Sequence, residues 1–417
     1  MLDRTQAPEI HSVQNIKIPE IESYKLLNGG NVYFYKEENT TAFKIELHTK
    51  GGNINGRNAS EVQLGLKILG EGTKSQSGLQ VSEYIDSIGS FFELSPGFDN
   101  SSISIYGLKK YFTENVKILS EIIYQPAITE QSLLLLREKE INKLQLNLEK
   151  GSYISSVNLR TLLFENHPYG FTSTFEDISK MNTEQLSQFH TRFLTSFDIY
   201  ISGNVPNDFI NIIEDYFNRN RTLESQSFSL KECKPKRIDH RDPKFIQSSI
   251  KLGRTLFNRS HPDYFKFIVT NELLGGFFGS RLMKNIREEK GFTYGIYSAL
   301  YPLNETGYFL ISTDVKGENE EDTMNEIEKE LSYLSNSLVS QAELETVKNY
   351  MIGSFVNSFS APFAPITKFK TVNSQNLTLE FYNNYIEQIR SVSPKDIQQI
   401  ASQYLNLASL STAIVGA

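Results

Sequence analysis

The chain has 417 residues, of which 39% are hydrophobic and 22% charged, an ordinary globular composition with room for two or three domains. Its net charge of −7 gives no general attraction to nucleic acid or to anionic membranes. The single cysteine, Cys233, excludes an internal disulfide framework. No stretch approaches 18 apolar residues, and the N-terminus lacks an apolar signal segment. We therefore expect no transmembrane helix and a cytoplasmic location.

Hydrophobic periodicity predicts the elements near the N-terminus. Alternating apolar and polar residues predict strands at VYFYKE (32–37), TAFKIELHT (41–49) and SSISIYGL (101–108). Helices are predicted at 60–70, 77–89, 109–124 and 129–150. The first of these helices carries an apolar stripe, Val62, Leu66 and Leu69, and ends at two glycines. Long helices beside such strands predict an α+β domain, a mostly antiparallel sheet with helices packed on one face.

The second half of the chain repeats the pattern of the first. Three segments recur about 211 residues further on: 128–144 at 339–355, 181–194 at 392–405, and 198–205 at 410–417. A fourth segment, 61–72, recurs at 265–276. Because the four pairs keep the same order, we expect two homologous domains that arose by duplication. The alternative is one larger α/β domain.

A polar segment with charges of both signs separates the two repeats. It spans 219–243 and includes Pro235 and Pro243. We predict an N-terminal domain at 1–220, a linker at 221–243 and a C-terminal domain at 244–417. The basic run KPKR (234–237) lies in this linker and is expected to be solvated.

Two long motifs are similar to those of a known family. The first, LLGGFFGSRLMKNIREEKGFTYGIYS (273–298), has a glycine-rich turn, Ser-Arg-Leu, a helix, and Gly-x-x-Tyr opening a strand. The second, ENHPYGFTSTFEDISKMNTEQLSQFHTRFL (165–194), contains His-Pro-Tyr-Gly. Over nearly its whole length the chain resembles the pitrilysin/insulinase-type (inverzincin) zinc metallopeptidases. It resembles their two-domain form, seen in mitochondrial processing peptidase and its bacterial relatives.

The catalytic motif of that family is degenerate in this chain. The family motif is His-x-x-Glu-His on the first helix, with two zinc-binding histidines, a general-base glutamate and a further glutamate ligand downstream. The corresponding positions hold Gln63, Leu66 and Lys67, and the downstream ligand falls at or near Leu144. None of these side chains replaces a zinc ligand well, and no two histidines share helical spacing. The histidines are His11, His48, His167, His190, His240 and His261. We therefore expect no metal or other cofactor in this chain, and a first helix kept for packing.

A second functional pair of the family is retained. In the family an arginine and a tyrosine, seven residues apart, reach into the zinc site, and the matching residues are Arg287 and Tyr294. Gly291 is predicted to end the helix, which places Arg287 in its last turn and Tyr294 near the start of the next strand. Both side chains are donors that could stabilise the negative charge on an attacked carbonyl. The alternative is a surface arginine in an ion pair beside a tyrosine at the core edge.

The resemblance implies a division of labour between two chains. In two-domain members one chain can supply zinc while the other supplies the Arg/Tyr pair. We therefore interpret this chain as the zinc-free subunit of a heterodimeric metallopeptidase. The resemblance implies a homologous zinc-bearing subunit as partner and unfolded peptides as substrates. The alternative is a non-enzymatic structural or peptide-binding homodimer.

Two other motifs lack the residues that an additional activity would require. GGFFGS (275–280) lacks the Gly-Lys-Ser/Thr of a phosphate-binding loop. GSFFELS (89–95) lies where the family binds substrate on an edge strand, but Glu93 and Leu94 replace the usual Asn-Ala.

Overall fold

The computed structural model describes Val13, residues 16–219, Leu230 and residues 233–417. The strands of the first half are β1 (Glu22–Lys25), β2 (Asn31–Lys36), β3 (Ala42–Thr49), β4 (Phe91–Ser95), β5 (Ser101–Leu108) and β6 (Phe197–Gly203). Its helices are α1 (Ala59–Lys67), α2 (Gly78–Ser87), α3 (Phe112–Tyr124), α4 (Glu130–Leu148), α5 (Gly151–Phe164), α6 (Phe175–Lys180), α7 (Thr183–Phe189) and α8 (Phe209–Tyr216). The predicted strands and helices near the N-terminus are thus confirmed as β2, β3 and β5 and as α1 to α4.

The second half follows the same order of elements. Its strands are β7 (Arg237–Arg241), β8 (Gln247–Leu256), β9 (Thr293–Pro302), β10 (Gly307–Lys316) and β11 (Ser411–Gly416). Its helices are α9 (Tyr264–Asn271), α10 (Glu320–Asn336), α11 (Gln341–Asn357), α12 (Ala364–Asn373), α13 (Glu380–Asn383), α14 (Tyr385–Ser391) and α15 (Pro394–Tyr404). A π-helical segment, Met283–Glu289, precedes β9. Within the described ranges, none of the helices combines the length and the apolar character that a bilayer crossing requires.

The strands form two separate sheets with matching topology. The first sheet has the order β1-β2-β6-β3-β5-β4, and the second has the order β7-β11-β8-β10-β9. In each sheet one pair is parallel, β2 with β6 and β7 with β11, and the other neighbours are antiparallel. Apart from the additional β1, each strand of one sheet has a counterpart in the other. The predicted α+β architecture is confirmed, and the matching order supports a duplication.

The predicted linker contains one strand of the second sheet. Residues 237–241 form β7, which pairs in parallel with β11 from Thr412 to Gly416. Much of the rest, including 221–229, lies outside the described residues. The linker was predicted from its polarity and prolines. A short edge strand with mostly exposed side chains carries the same polar signature as a linker, and the boundaries of the two domains stay a prediction.

Each sheet packs one face against helices of its own half. In the first half Phe43, Ile45 and Leu47 of β3 are fully buried, together with Leu66 of α1. Val62 and Leu69 are buried in the same cluster, which confirms the predicted apolar stripe. A second large cluster lies in the other half around β8, β10 and their helices.

The opposite face of each sheet receives one helix from the other half. Helix α5, from the first half, packs on β8 and β11 of the second sheet. There Leu159 and Phe164 join a cluster with Ala413, and the Phe164 ring meets the Tyr308 ring edge to face at 5.7 Å. In return, α12 packs on β2 and β6 of the first sheet. The two halves are therefore interlocked, in addition to having a core each.

The contact between α12 and the first sheet includes polar and charged groups. Asn373 donates a hydrogen bond to the Tyr200 hydroxyl at 2.8 Å. The Lys370 ammonium pairs with the Glu46 carboxylate, which is 3% exposed and also pairs with Lys44 at 2.6 Å. Burial alone would raise the pKa of Glu46, but the ammonium groups of Lys370 and Lys44 lower it to about 2. The carboxylate is therefore ionised and ties the two halves together.

The His-Pro-Tyr-Gly motif makes a second connection between the halves. Tyr169 is fully buried, and its hydroxyl donates to Asp99 in the loop between β4 and β5. The other oxygen of Asp99 accepts the Asn304 amide at 3.0 Å, in the turn between β9 and β10. Burial raises the pKa of Asp99, although the hydrogen bonds from Tyr169 and Asn304 oppose this rise. The motif therefore stabilises the arrangement of the two sheets.

We expect Lys370→Met to lower the free energy of unfolding at pH 7 by about 2 kcal/mol, since it leaves a buried carboxylate with one ammonium partner instead of two. The pKa of Glu46 is depressed in the folded state, so its contribution is present above about pH 4.5 and is lost as the pH falls toward 2. The difference between the variant and the wild type should therefore narrow below pH 4.5.

Thermal or urea unfolding at pH 7 and pH 3 would measure this difference. Lys36→Met is the matched control, because the Lys36–Glu38 pair is exposed on both sides, and this variant should match the wild type. An equal effect of both substitutions, or a difference that does not change with pH, would contradict the role assigned to Glu46.

Candidate functional site

Helix α1 has a capped N-terminus, packs closely on a neighbouring helix and is followed by a turn that ends at a glycine. The Asn58 side chain caps the helix by accepting the Glu61 amide at 2.8 Å. Gly65 lies against the Phe189 ring of α7, where an added Cβ would come within 2.7 Å of a ring carbon. The end at Gly72 has a φ of +122°, a conformation that favours glycine. These features position the helix against α4 and α7.

The four degenerate positions have different surroundings. Leu66 is fully buried in the core against the sheet. Leu144 is 6% exposed and packs with Leu64 in a second cluster between α1 and α4. Gln63 is half-buried, and its side-chain oxygen accepts from the Ser173 hydroxyl at 3.4 Å. Two of the four positions are thus core, and two are polar.

An ion pair joins α1 and α4 at the degenerate motif. The Lys67 ammonium lies 2.5 Å from a carboxylate oxygen of Glu140. Glu140 is 9% exposed and lies on the buried side of α4 with Leu136 and Leu144. The Lys67 ammonium already neutralises the negative charge that this carboxylate would have to offer to a metal cation. The side chains here therefore do not fit zinc.

Besides the degenerate motif, no candidate metal site is found in the described part of the chain. Within it, histidine, cysteine, aspartate and glutamate side chains nowhere form a group of three or more that could hold a metal ion. His11 lies outside the described residues. His190 illustrates a structural histidine, since its ring lies 2.7 Å from the Ile123 carbonyl oxygen, and burial lowers its pKa.

Arg287 lies in the last turn of the π-helical segment, as predicted. Gly291 follows with a φ of +68° and reverses the chain into β9. The Arg287 guanidinium lies over the ring of Phe278, with its carbon 4.5 Å from the ring centroid. Upstream, Gly275 has no room for a side chain, because a Cβ would lie 2.7 Å from the Ser298 nitrogen of β9. π-helical segments are rare and are often found at functional sites.

Tyr294 projects from a β-bulge at the start of β9. Tyr294 and Gly295 together face the single residue Asp314 on β10. The Thr293 hydroxyl donates to the Asp314 carbonyl oxygen at 2.8 Å, and the Thr313 hydroxyl donates to the Gly295 carbonyl oxygen at 3.1 Å. A bulge of this kind redirects a side chain. The Tyr294 side chain is 96% exposed.

The structure does not bring this pair to the degenerate motif of the same chain. Arg287 and Tyr294 lie at the edge of the second sheet, whereas Lys67 and Glu140 lie between helices of the first half. Among the described residues, no hydrogen bond, ion pair or ring contact joins the two sets.

The predicted edge strand is also confirmed as β4. Among the described residues it pairs only with β5, and its other side forms the edge of the first sheet. Phe91 is 61% exposed on this strand, and Glu93 accepts a hydrogen bond from the Ser95 hydroxyl at 3.2 Å. The first sheet thus has a free edge, as the second has at β9.

Comparison with known proteins agrees with this fold. Residues 180–351 match the family described as "Peptidase M16 inactive domain". The chain is 22% identical over 386 residues to the "Non-peptidase homolog YmxG" of Helicobacter pylori, covering 88% of this chain and 86% of that protein. It is 22% identical over 349 residues to the "Uncharacterized zinc protease YmxG" of Bacillus subtilis, covering 80% of this chain and 82% of that protein.

A solved structure shows the same fold. The crystal structure of a peptidase M16 inactive domain from Pseudomonas fluorescens superposes with a TM-score of 0.88 at 21% identity, covering 95% of this chain and 98% of that chain. The predicted resemblance is confirmed: residues 180–351 match the M16 inactive-domain family, and the chain is similar over most of its length to zinc proteases and inactive homologues. The segment that matches the inactive domain contains Arg287 and Tyr294 and none of the four degenerate positions.

Sequence reasoning missed Glu140, Phe278 and the threonines of the bulge. Glu140 could have been found, because it interrupts an apolar stripe formed on α4 by Leu133, Leu136 and Leu144. A carboxylate on such a stripe requires a buried partner. Phe278 and the threonines of the bulge could not have been found in the same way. Their roles depend on a contact across a turn and on strand register, and the sequence carries no periodic signal for either.

We expect Lys67→Met to lower the free energy of unfolding by about 2 kcal/mol, because it leaves the Glu140 carboxylate buried and unpaired. The double variant Lys67→Met/Glu140→Leu should recover most of this loss, since apolar replacements of a buried ion pair are often neutral or stabilising. Urea unfolding of the single and double variants measures the coupling.

Lys139→Met serves as the control on the same helix. Lys139 is 62% exposed and pairs with Glu71 at 2.8 Å, so its loss should leave the stability nearly unchanged. Additive effects of the two changes at Lys67 and Glu140 would show that they are not a coupled pair.

Proposed function

We propose that this chain is the zinc-free subunit of a heterodimeric zinc metallopeptidase. It supplies Arg287 and Tyr294 to the active site of a homologous, zinc-bearing partner, and it forms half of the chamber that holds the substrate. The substrates are unfolded peptides. The chain carries no cofactor of its own, and the complex works in the cytoplasm.

The observation that carries this proposal is the contrast between the two sites. At the degenerate motif, Lys67 and Glu140 neutralise each other. At the edge of the second sheet, Arg287 and Tyr294 are presented outward by a helix end and by a bulge. A tyrosine that is 96% exposed contributes little to the stability of its own chain. Its placement is therefore explained best by a contact with another molecule.

The chemistry of the pair suits a peptide carbonyl. Arg287 offers a planar, permanently charged set of N–H donors, and Tyr294 offers a hydroxyl donor. In peptide hydrolysis the carbonyl oxygen becomes negatively charged in the transition state. Donors aimed at that oxygen stabilise the transition state more than the bound substrate, and this lowers the barrier. The partner would supply the metal and the activated water.

A structural or peptide-binding homodimer is the second candidate. The name of the Helicobacter pylori relative, a non-peptidase homolog, favours it. Both sheets also have a free edge strand, to which an extended peptide could add by main-chain hydrogen bonds. Such a protein would have no chemical need for an arginine and a tyrosine projecting at one edge, which is why we place this candidate second.

We expect Arg287→Ala and Tyr294→Phe to lower the turnover of the reconstituted complex about 10²–10³-fold each, the usual effect of losing one donor to a developing oxyanion. kcat and kcat/KM should fall together, because the interaction forms mainly in the transition state. Arg287→Lys should not rescue activity, since a point charge lacks the planar set of donors. Peptide-cleavage kinetics with the zinc-bearing partner measure these effects.

Lys284→Ala and Tyr297→Phe are the matched controls, because both residues are exposed on the same π-helical segment and the same strand. These variants should retain wild-type turnover. The zinc content and assembly of every variant are measured in parallel by elemental analysis and gel filtration. Wild-type rates for Arg287→Ala and Tyr294→Phe would contradict the role proposed for this pair. Failure of these variants to assemble would place the residues in the interface instead.

A further inference from the structure

The Arg287 guanidinium packs on an aromatic ring, and within the described residues it forms no ion pair with a carboxylate. Its guanidinium carbon lies 4.5 Å from the centroid of Phe278, well within cation–π distance. Within the described part of the chain, no carboxylate lies at ion-pair distance from it, although Glu288 and Glu289 follow directly in the sequence. Phe278 itself is 63% exposed, so its ring is not required by the core.

A nearby arginine shows the contrasting arrangement. Arg281 also lies over an aromatic ring, 4.1 Å from the centroid of Tyr333. Its guanidinium, however, pairs with Glu343 at 2.8 Å and with Glu330 at 3.4 Å. Both terminal nitrogens of Arg281 are therefore paired with carboxylates within the chain. A ring holds a guanidinium through its face and leaves the N–H groups at the edge of the ion free.

We propose that Phe278 is a positioning residue that holds the Arg287 guanidinium in place with its donors free for a substrate carbonyl. This inference rests on the proposed function of Arg287 and adds the group that orients it. A carboxylate in place of the ring would orient the guanidinium equally well, but it would consume the donors and cancel the charge. The exposed position of Phe278 is therefore explained by its contact with Arg287, because packing of the core does not require this ring.

The first arm of the test uses the isolated chain and needs no partner. In ¹⁵N-arginine-labelled protein, the Nε–H signal of Arg287, assigned by its loss in Arg287→Lys, should be shifted upfield by the Phe278 ring. Phe278→Leu should move this signal toward the position of a free arginine, whereas Phe278→Trp should keep the shift. Tyr333→Leu is the control and should leave the Arg287 signal in place.

The second arm measures cleavage by the reconstituted complex. Phe278→Leu should lower kcat about two- to fivefold, the effect of losing one exposed cation–π contact. Phe278→Trp should restore the wild-type rate, because indole binds cations at least as well as a phenyl ring. Tyr333→Leu should retain wild-type turnover. Thermal melting of each variant shows whether folding is preserved.

The outcomes separate this inference from the proposed function. An Arg287 signal that does not move in Phe278→Leu, or wild-type turnover of that variant while Arg287→Ala is impaired, overturns the positioning role. A signal that moves, together with wild-type turnover of Arg287→Ala, overturns the proposed function while the stacking itself stands. A moved signal with rescue of turnover by Phe278→Trp supports both.

Discussion

The reciprocal exchange of α5 and α12 is the constraint on which the rest of this structure depends. Each sheet has one face covered by its own helices and the other covered by a helix of the opposite half. The exchanged contacts include a carboxylate, Glu46, that is ionised and paired across the halves. Because of this exchange, neither half completes its packing alone. The free edges at β4 and β9 then stand in a fixed relation to each other, which a peptide-holding chamber would require.

Within this fold, the first helix contributes packing and an ion pair. Leu66 continues the apolar stripe toward the sheet, and Lys67 pairs with Glu140 toward α4. By the resemblance stated for the sequence, these are the positions at which we expect the active peptidases to hold a base and a metal ligand. In the second half of the chain, polar side chains project outward instead of packing inside the fold. There a π-helical segment, a glycine with positive φ and a β-bulge present Arg287 and Tyr294 outward. Such irregular backbone is found more often at functional sites than in structural surfaces.

Much of the fold and part of the site could be predicted from the sequence, for physical reasons. Alternation and helical spacing identified β2, β3, β5 and α1 to α4, because each of these elements buries one face. The family motif placed Arg287 in a helix end and Tyr294 at a strand start, which the structure confirms. Periodicity describes one element at a time, so it could not show the exchange of α5 and α12. It also could not separate β7 from a polar linker, or show the bulge at Tyr294, which depends on the register between two strands.

The central claim is that this chain completes the active site of a different, zinc-bearing chain. Native mass spectrometry of the chain mixed with a homologue that carries His-x-x-Glu-His would test it most directly, with the zinc content of each species measured. We expect a 1:1 complex that holds one zinc ion, and we expect that ion to be lost when a histidine of the homologue's motif is replaced. A homodimer that excludes the homologue, or a zinc ion that stays with this chain when the two are separated, would contradict the claim.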